Sequence, residues 1–74
     1  MYILKENVEV DFGIVKKYDV AKRIGITQQT LSKILHRKTP CSKAIANYIA
    51  MLTEMQNGKK YPDKKILNYF EEVN

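Results

Sequence analysis

The stretch that most constrains what this chain can fold into is Lys17 to His36, KYDVAKRIGITQQTLSKILH. Its apolar, small and polar residues fall where two short helices joined by a tight turn would need them. Val20, Ala21 and Ile24 form the inward stripe of a first helix, and Leu31, Ile34 and Leu35 the buried side of a second. Ala21 falls where the helices cross, so a larger side chain would push their axes apart. Gly25 lies just past the last apolar position of the first helix, where a left-handed backbone ends a helix without steric cost. Ile26 can plug the corner. Thr27 offers its hydroxyl to the free N–H groups of the next helix and is the expected N-cap.

This is a helix-turn-helix pattern, and over Asp19 to Lys38 it resembles the motif of the Cro/CI-like (XRE-type) regulators of phages and bacteria. The family favours a small Ala, a Gly four residues later and a Ser/Thr-Gln pair opening the recognition helix; here these are Ala21, Gly25 and Thr27-Gln28. Thr30-Leu31-Ser32-Lys33-Ile34 is similar to the family's Thr-Ile-Ser-Arg-Ile. Two positions depart from the pattern. Lys17 stands where the family often has a Gln, and Leu35-His36-Arg37 stands where many members have Glu-Asn-Gly, so the motif does not fix how the recognition helix ends. The resemblance implies an all-α Cro/CI-like domain of four or five helices and a DNA-binding function.

Charge placement points the same way. The chain carries a net +5, yet residues 16–43 hold eight basic residues against Asp19 alone, a net of +7; residues 1–15 sum to −2 and residues 44–74 to zero. Basic charge confined to one motif is the electrostatic footprint of a phosphate-contacting face. Seventy-four residues make one small domain, without room for the oligomerising domain of a full-length CI-type repressor. The single Cys41 cannot form an internal disulfide, the apolar runs are too short to span a bilayer, and no apolar core follows a basic start as in a signal peptide. The expected location is therefore cytoplasmic, with no membrane partner.

The remaining segments are read from their spacing. In residues 1–15, Val8, Val10 and Phe12 alternate as in a strand, while Leu4, Val8, Phe12 and Val15 recur at helical spacing, so either a helix or a short N-terminal strand fits. Pro40 suits the first position of a helix over about residues 40–56, capped by Thr39 or a nearby polar residue. Ile45, Tyr48, Ile49 and Leu52 supply its apolar stripe, and Asn57-Gly58 its end. Pro62 and Asp63 open a last helix, about 62–73, with Ile66, Leu67, Phe70 and Val73 as its stripe. Part of that stripe, Tyr69, Phe70 and Val73, is the candidate interface for a weak homodimer or a hetero-complex with a partner repressor.

Catalysis has little to stand on. His36 and Cys41 flank a basic loop with no third orienting residue, a zinc site needs four ligands, and the glycines are scattered singly. The expectation is a non-enzyme with no metal, cofactor or small-molecule substrate. Its expected partner is double-stranded DNA. The outward face of the recognition helix, Gln28, Gln29, Ser32 and Lys33, carries groups that can read base edges: Gln can bind adenine N6/N7 and Lys guanine O6/N7. Lys17, Thr27, Thr30, His36, Arg37, Lys38 and Lys43 are the expected phosphate contacts. The alternative from another class is an antirepressor or antitoxin-like module that keeps the fold and grips a partner repressor, since fold does not settle function.

Overall fold

A computed structural model of the chain describes residues 1–56, 58 and 66–73. Three helices and a short two-stranded antiparallel sheet enclose one core. In chain order these are β1 (Tyr2–Leu4), α1 (Lys17–Ile24), α2 (Gln28–Leu35), α3 (Lys43–Gln56), a 3-10 turn (Ile66–Asn68) and β2 (Phe70–Glu72). The radius of gyration, 11.3 Å, matches the roughly 11 Å of a compact chain of this length. No helix among the described residues is long and apolar enough to cross a membrane.

The helix pair forms for the local reasons its sequence supplies. Val20 and Ala21 are buried and α1 ends at Gly25, whose φ of 86° and ψ of 29° are left-handed; its N–H and that of Ile26 both donate to the Ala21 carbonyl. Thr27 caps α2: its Oγ1 accepts the Thr30 N–H at 3.1 Å. Leu31 and Ile34 are buried below. The α2 exit uses a non-glycine residue in a glycine's conformation. Arg37 has φ 61°, its N–H donates to the Ile34 carbonyl, and the Lys38 N–H donates to the Lys33 carbonyl. That pair of bonds is a Schellman cap.

α3 starts at Lys43 rather than at Pro40, because Cys41 is held in extended backbone beside β1. The Cys41 N–H donates to the Tyr2 carbonyl at 2.7 Å, and the Tyr2 N–H to the Cys41 carbonyl at 2.8 Å. Ser42 then caps the helix, its Oγ accepting the Ile45 N–H at 3.3 Å. The buried residues of α3 are Ala46, Ile49, Ala50, Leu52, Thr53 and Glu54, so Ile49 and Leu52 of the expected stripe are buried while Ile45 and Tyr48 are only half-buried. Gly58 N–H closes the end on the Met55 carbonyl.

Two expectations are corrected. The all-α reading with four or five helices becomes, among the described residues, three helices and a sheet. Residues 5–16 form turns rather than helix or strand, tied down where the Asp11 N–H donates to Thr53 Oγ1 and the Gly13 N–H to Asp11 Oδ1. The last helix is absent from residue 66 onward, and its opening at 62–65 lies outside the described residues. After the 3-10 turn the chain extends and pairs with β1 in the register Tyr2↔Glu72, Ile3↔Glu71, Leu4↔Phe70. The physical reason is that the backbone of β1 needs hydrogen-bond partners and β2 provides them. Phe70 meets Leu4 inside the core while Leu67, on the expected helical stripe, is 62% exposed.

Two substitutions separate backbone from packing effects at the elbow. A Cβ on Gly25 meets nothing within 4 Å, so Gly25→Val should cost only the left-handed strain, about 1–2 kcal/mol. Ala21→Leu overpacks a site 2% exposed and should cost about 1–3 kcal/mol. Urea titration of both variants checks this; an Ala21→Leu protein as stable as the parent would mean the helices do not meet there.

Candidate nucleic-acid interface

Leu31 and Ile34 face the core, which turns Gln28, Gln29 and Lys33 to solvent along the opposite side of α2, with Ser32 half-exposed among them. Thr27 and Thr30 are engaged with each other. The Thr27 hydroxyl donates to Thr30 Oγ1 at 2.9 Å, which stiffens the first turn and fixes the direction in which Gln28 and Gln29 leave the backbone. His36 sits at the other end, where its Nδ1 lies 2.8 Å from the Ser32 carbonyl oxygen, so Nδ1 carries the proton and donates. The ring is thereby folded back over the helix end.

Lys17 projects from the start of α1, Lys38 from the loop after α2 and Lys43 from the start of α3; all three are exposed. Among the described residues, Lys16, Lys17, Lys22, Lys33, Lys38 and Lys43 make no ion pair, so their charge is not neutralised within the fold. Apart from Asp19 on α1, the exposed acids among the described residues lie in the turn segment, as Glu6, Glu9 and Asp11, and on β2, as Glu71 and Glu72.

Arg37 is exposed too, but its side chain is engaged within the fold. Its Nε donates to the Leu4 carbonyl at 2.8 Å and its guanidinium reaches Glu6 at 4.0 Å. The side chain spans from the exit of α2 to the end of β1. It is a structural tie, which accounts for an arginine in a conformation that favours glycine. Of the interface expected at Tyr69, Phe70 and Val73, Phe70 is corrected, being wholly buried with no surface to present, while Tyr69 and Val73 are half-buried.

Sequence reading missed two residues beside α2. Tyr18, 59% exposed, and Lys22 line a groove of about 350 Å³ with Ala21, Ile26, Thr27 and Gln28, at the elbow between α1 and α2. Their i, i+4 spacing on α1 was the available signal. Cys41 is buried, and desolvation pushes its thiol from 9.0 up to about 11, with the Met1 ammonium opposing. A nucleophilic cysteine needs the opposite shift. Among the described residues no group of three or more His, Cys, Asp or Glu side chains is placed to hold a metal.

Two expected outcomes follow from these environments. Arg37→Ala keeps the left-handed backbone and loses the bond to Leu4, and should cost about 1–3 kcal/mol; Arg37→Gly also loses the bond but relieves the strain, so it should be the more stable of the two in urea. Equal stabilities would mean the cap is unstrained. For Cys41 the folded thiol's pKa is raised, so its contribution is full below pH 9 and is lost as pH rises through about 11. Chemical denaturation at stepped pH should show a steeper decline over that window for the parent than for Cys41→Ala.

Comparison with known protein families, curated protein sequences and solved structures finds no match, so the interface is described from the chain's own residues alone.

Proposed function

We propose that the chain is a sequence-specific DNA-binding transcriptional regulator, a small Cro-like repressor or switch protein of phage type, that lays α2 in the major groove. The observation that carries this reading is the exposed row of Gln28 and Gln29 on the first turn of a capped helix and Lys33 on its last, flanked by lysines that make no ion pair among the described residues. Helix N-termini that enter the major groove read base edges with such side chains. Gln29 and Lys33 are the base readers, with Gln28 and Ser32 beside them. Lys17, Lys38 and Lys43 hold phosphates, and Tyr18 and Lys22 extend that contact along the elbow groove. Thr27, Thr30 and His36 act through the shape of α2. Arg37, committed to Leu4, is withdrawn from the phosphate set.

One short helix touches few base pairs, so specificity against a genome of competing sites calls for a second copy on an adjacent half-site or for a different protein bound alongside. The experiment is selection of duplexes from a random pool, followed by fluorescence anisotropy on the enriched site at several salt concentrations. Lys33→Ala and Gln29→Ala should each cost about 1–3 kcal/mol there and relax preference at one base pair. Lys38→Gln should instead weaken all duplexes alike and lower the salt slope by about one. A folded chain that enriches no sequence, and holds no duplex even at low salt, would overturn the proposal in favour of a module that grips a partner repressor.

A further inference from the structure

One face of α3 turns away from its buried residues and packs only in part against the core. Ala44 is exposed, Tyr48 and Met51 are half-exposed and Met55 is 51% exposed. Their spacing of four, three and four residues puts them on one stripe about 16 Å long. The stripe is hollowed on both sides of Tyr48. A groove of about 330 Å³ lies toward α1, lined by Arg23, Ile24, Ser42, Ala44, Ile45 and Tyr48. A second, about 190 Å³, lies between Ala44, Asn47, Tyr48 and Met51. Small Ala44 and Ser42 form floors and Tyr48 forms the ridge between, the relief into which side chains of a facing helix pack. Met, Tyr and Arg are the side chains enriched where proteins bind one another.

Charge selects the occupant. Arg23 lines the larger groove together with Tyr48, and Lys43 at the start of α3 is exposed. Among the described residues no acid lines either groove; Asp19, one turn earlier on α1, offsets part of the charge of Arg23. A parallel pairing of α3 with itself would bring Arg23 and Lys43 of the two copies together, and an antiparallel one would set them against the Met55 end of the other. In neither case does an exposed acid on the described α3 meet them. Among the described residues the exposed acids other than Asp19 lie in residues 5–16 and on β2, not on a helix that could seat in the grooves. A stripe of Ala, Tyr and Met is likewise no surface for phosphates.

We infer that this face of α3 is the docking site for an amphipathic helix of a different protein, with large apolar side chains at four-three-four spacing and a glutamate or aspartate on the edge that meets Arg23. The inference uses neither α2 nor duplex binding, so it stands or falls apart from the proposed function.

The test is two-dimensional NMR of the full chain, labelled with ¹⁵N, titrated with a synthetic amphipathic helical peptide carrying leucines at that spacing and glutamates on both flanks, and with its twin in which lysines replace the glutamates. The acidic peptide should shift the amides of Arg23, Ile24 and residues 42–55 in a saturable way, leaving those of α2 unmoved. Arg23→Gln should weaken it about tenfold, and Met55→Glu should do so through the apolar stripe; both residues are exposed, and unchanged spectra elsewhere verify the fold. Equal binding of the lysine twin would overturn the charge argument. Shifts that avoid α3, no saturable shift, or self-association of the free chain through these same amides would overturn the docking site.

Discussion

The arrangement depends on the two-sided pairing of a three-residue strand. Backbone groups of β1 must find partners if they are buried, and the alternation of a strand sends them to opposite edges. Tyr2 and Leu4 turn theirs toward the α2–α3 connection, where Cys41 and the Arg37 side chain take them. Met1 and Lys5 turn theirs toward the chain's end, to the Val73 N–H and the Tyr69 carbonyl, with β2 between. So the first five residues join the exit of the candidate recognition helix, the entry of α3 and the C-terminal segment. The helix pair alone could not do this. Its own contacts set how α1 and α2 meet and a local cap ends α2, but where α3 begins is held by backbone bonds of Cys41 to a strand more than thirty residues earlier.

That division explains which parts of the fold were legible in the sequence. Gly25, Thr27 and Ala21 act within one turn of themselves, through left-handed φ, an N-cap bond and a lack of volume, and each of these is encoded in residue type. The C-terminal strand is not local. Ile66, Leu67, Phe70 and Val73 satisfy helical spacing, and only the availability of β1 decides between helix and strand. Phase in α3 was ambiguous for a different reason: the stripe through Ile45 and Tyr48 and the stripe through Ala46 and Ala50 share one period. The core takes Ala46 and Ala50 together with the larger Ile49 and Leu52, while Ile45 and Tyr48 pack half-buried at its edge.

The candidate site was legible in composition and less so in role. Gln28, Gln29 and Lys33 are exposed as their spacing implies, because Leu31 and Ile34 fix the opposite side. Arg37 was indistinguishable from Lys38 as a charge, yet a planar guanidinium can reach a carbonyl and a carboxylate together where an ammonium acts as a single point. Its partner, the Leu4 carbonyl, is a backbone atom and leaves no trace in a sequence. Phe70 was misread along with the element that carries it.

With Arg37 tied to Leu4, the positive charge that remains around α1, α2 and the following loop is opposed among the described residues of these elements by Asp19 alone. Like charges gathered on one side of a small domain raise the free energy of its compact state relative to an expanded chain, in which they stand farther apart. A core of this size has little stability to spare. Apart from Asp19, the exposed acids among the described residues lie in the turn segment and on β2, and the one ion pair found there joins a turn after β1 to the exit of α2. A solubilising surface has no need of such separation, since interspersed signs would serve it at less cost. Segregated charge is maintained against that cost, and it is the physical feature that an anionic partner of the α1–α2 face would relieve.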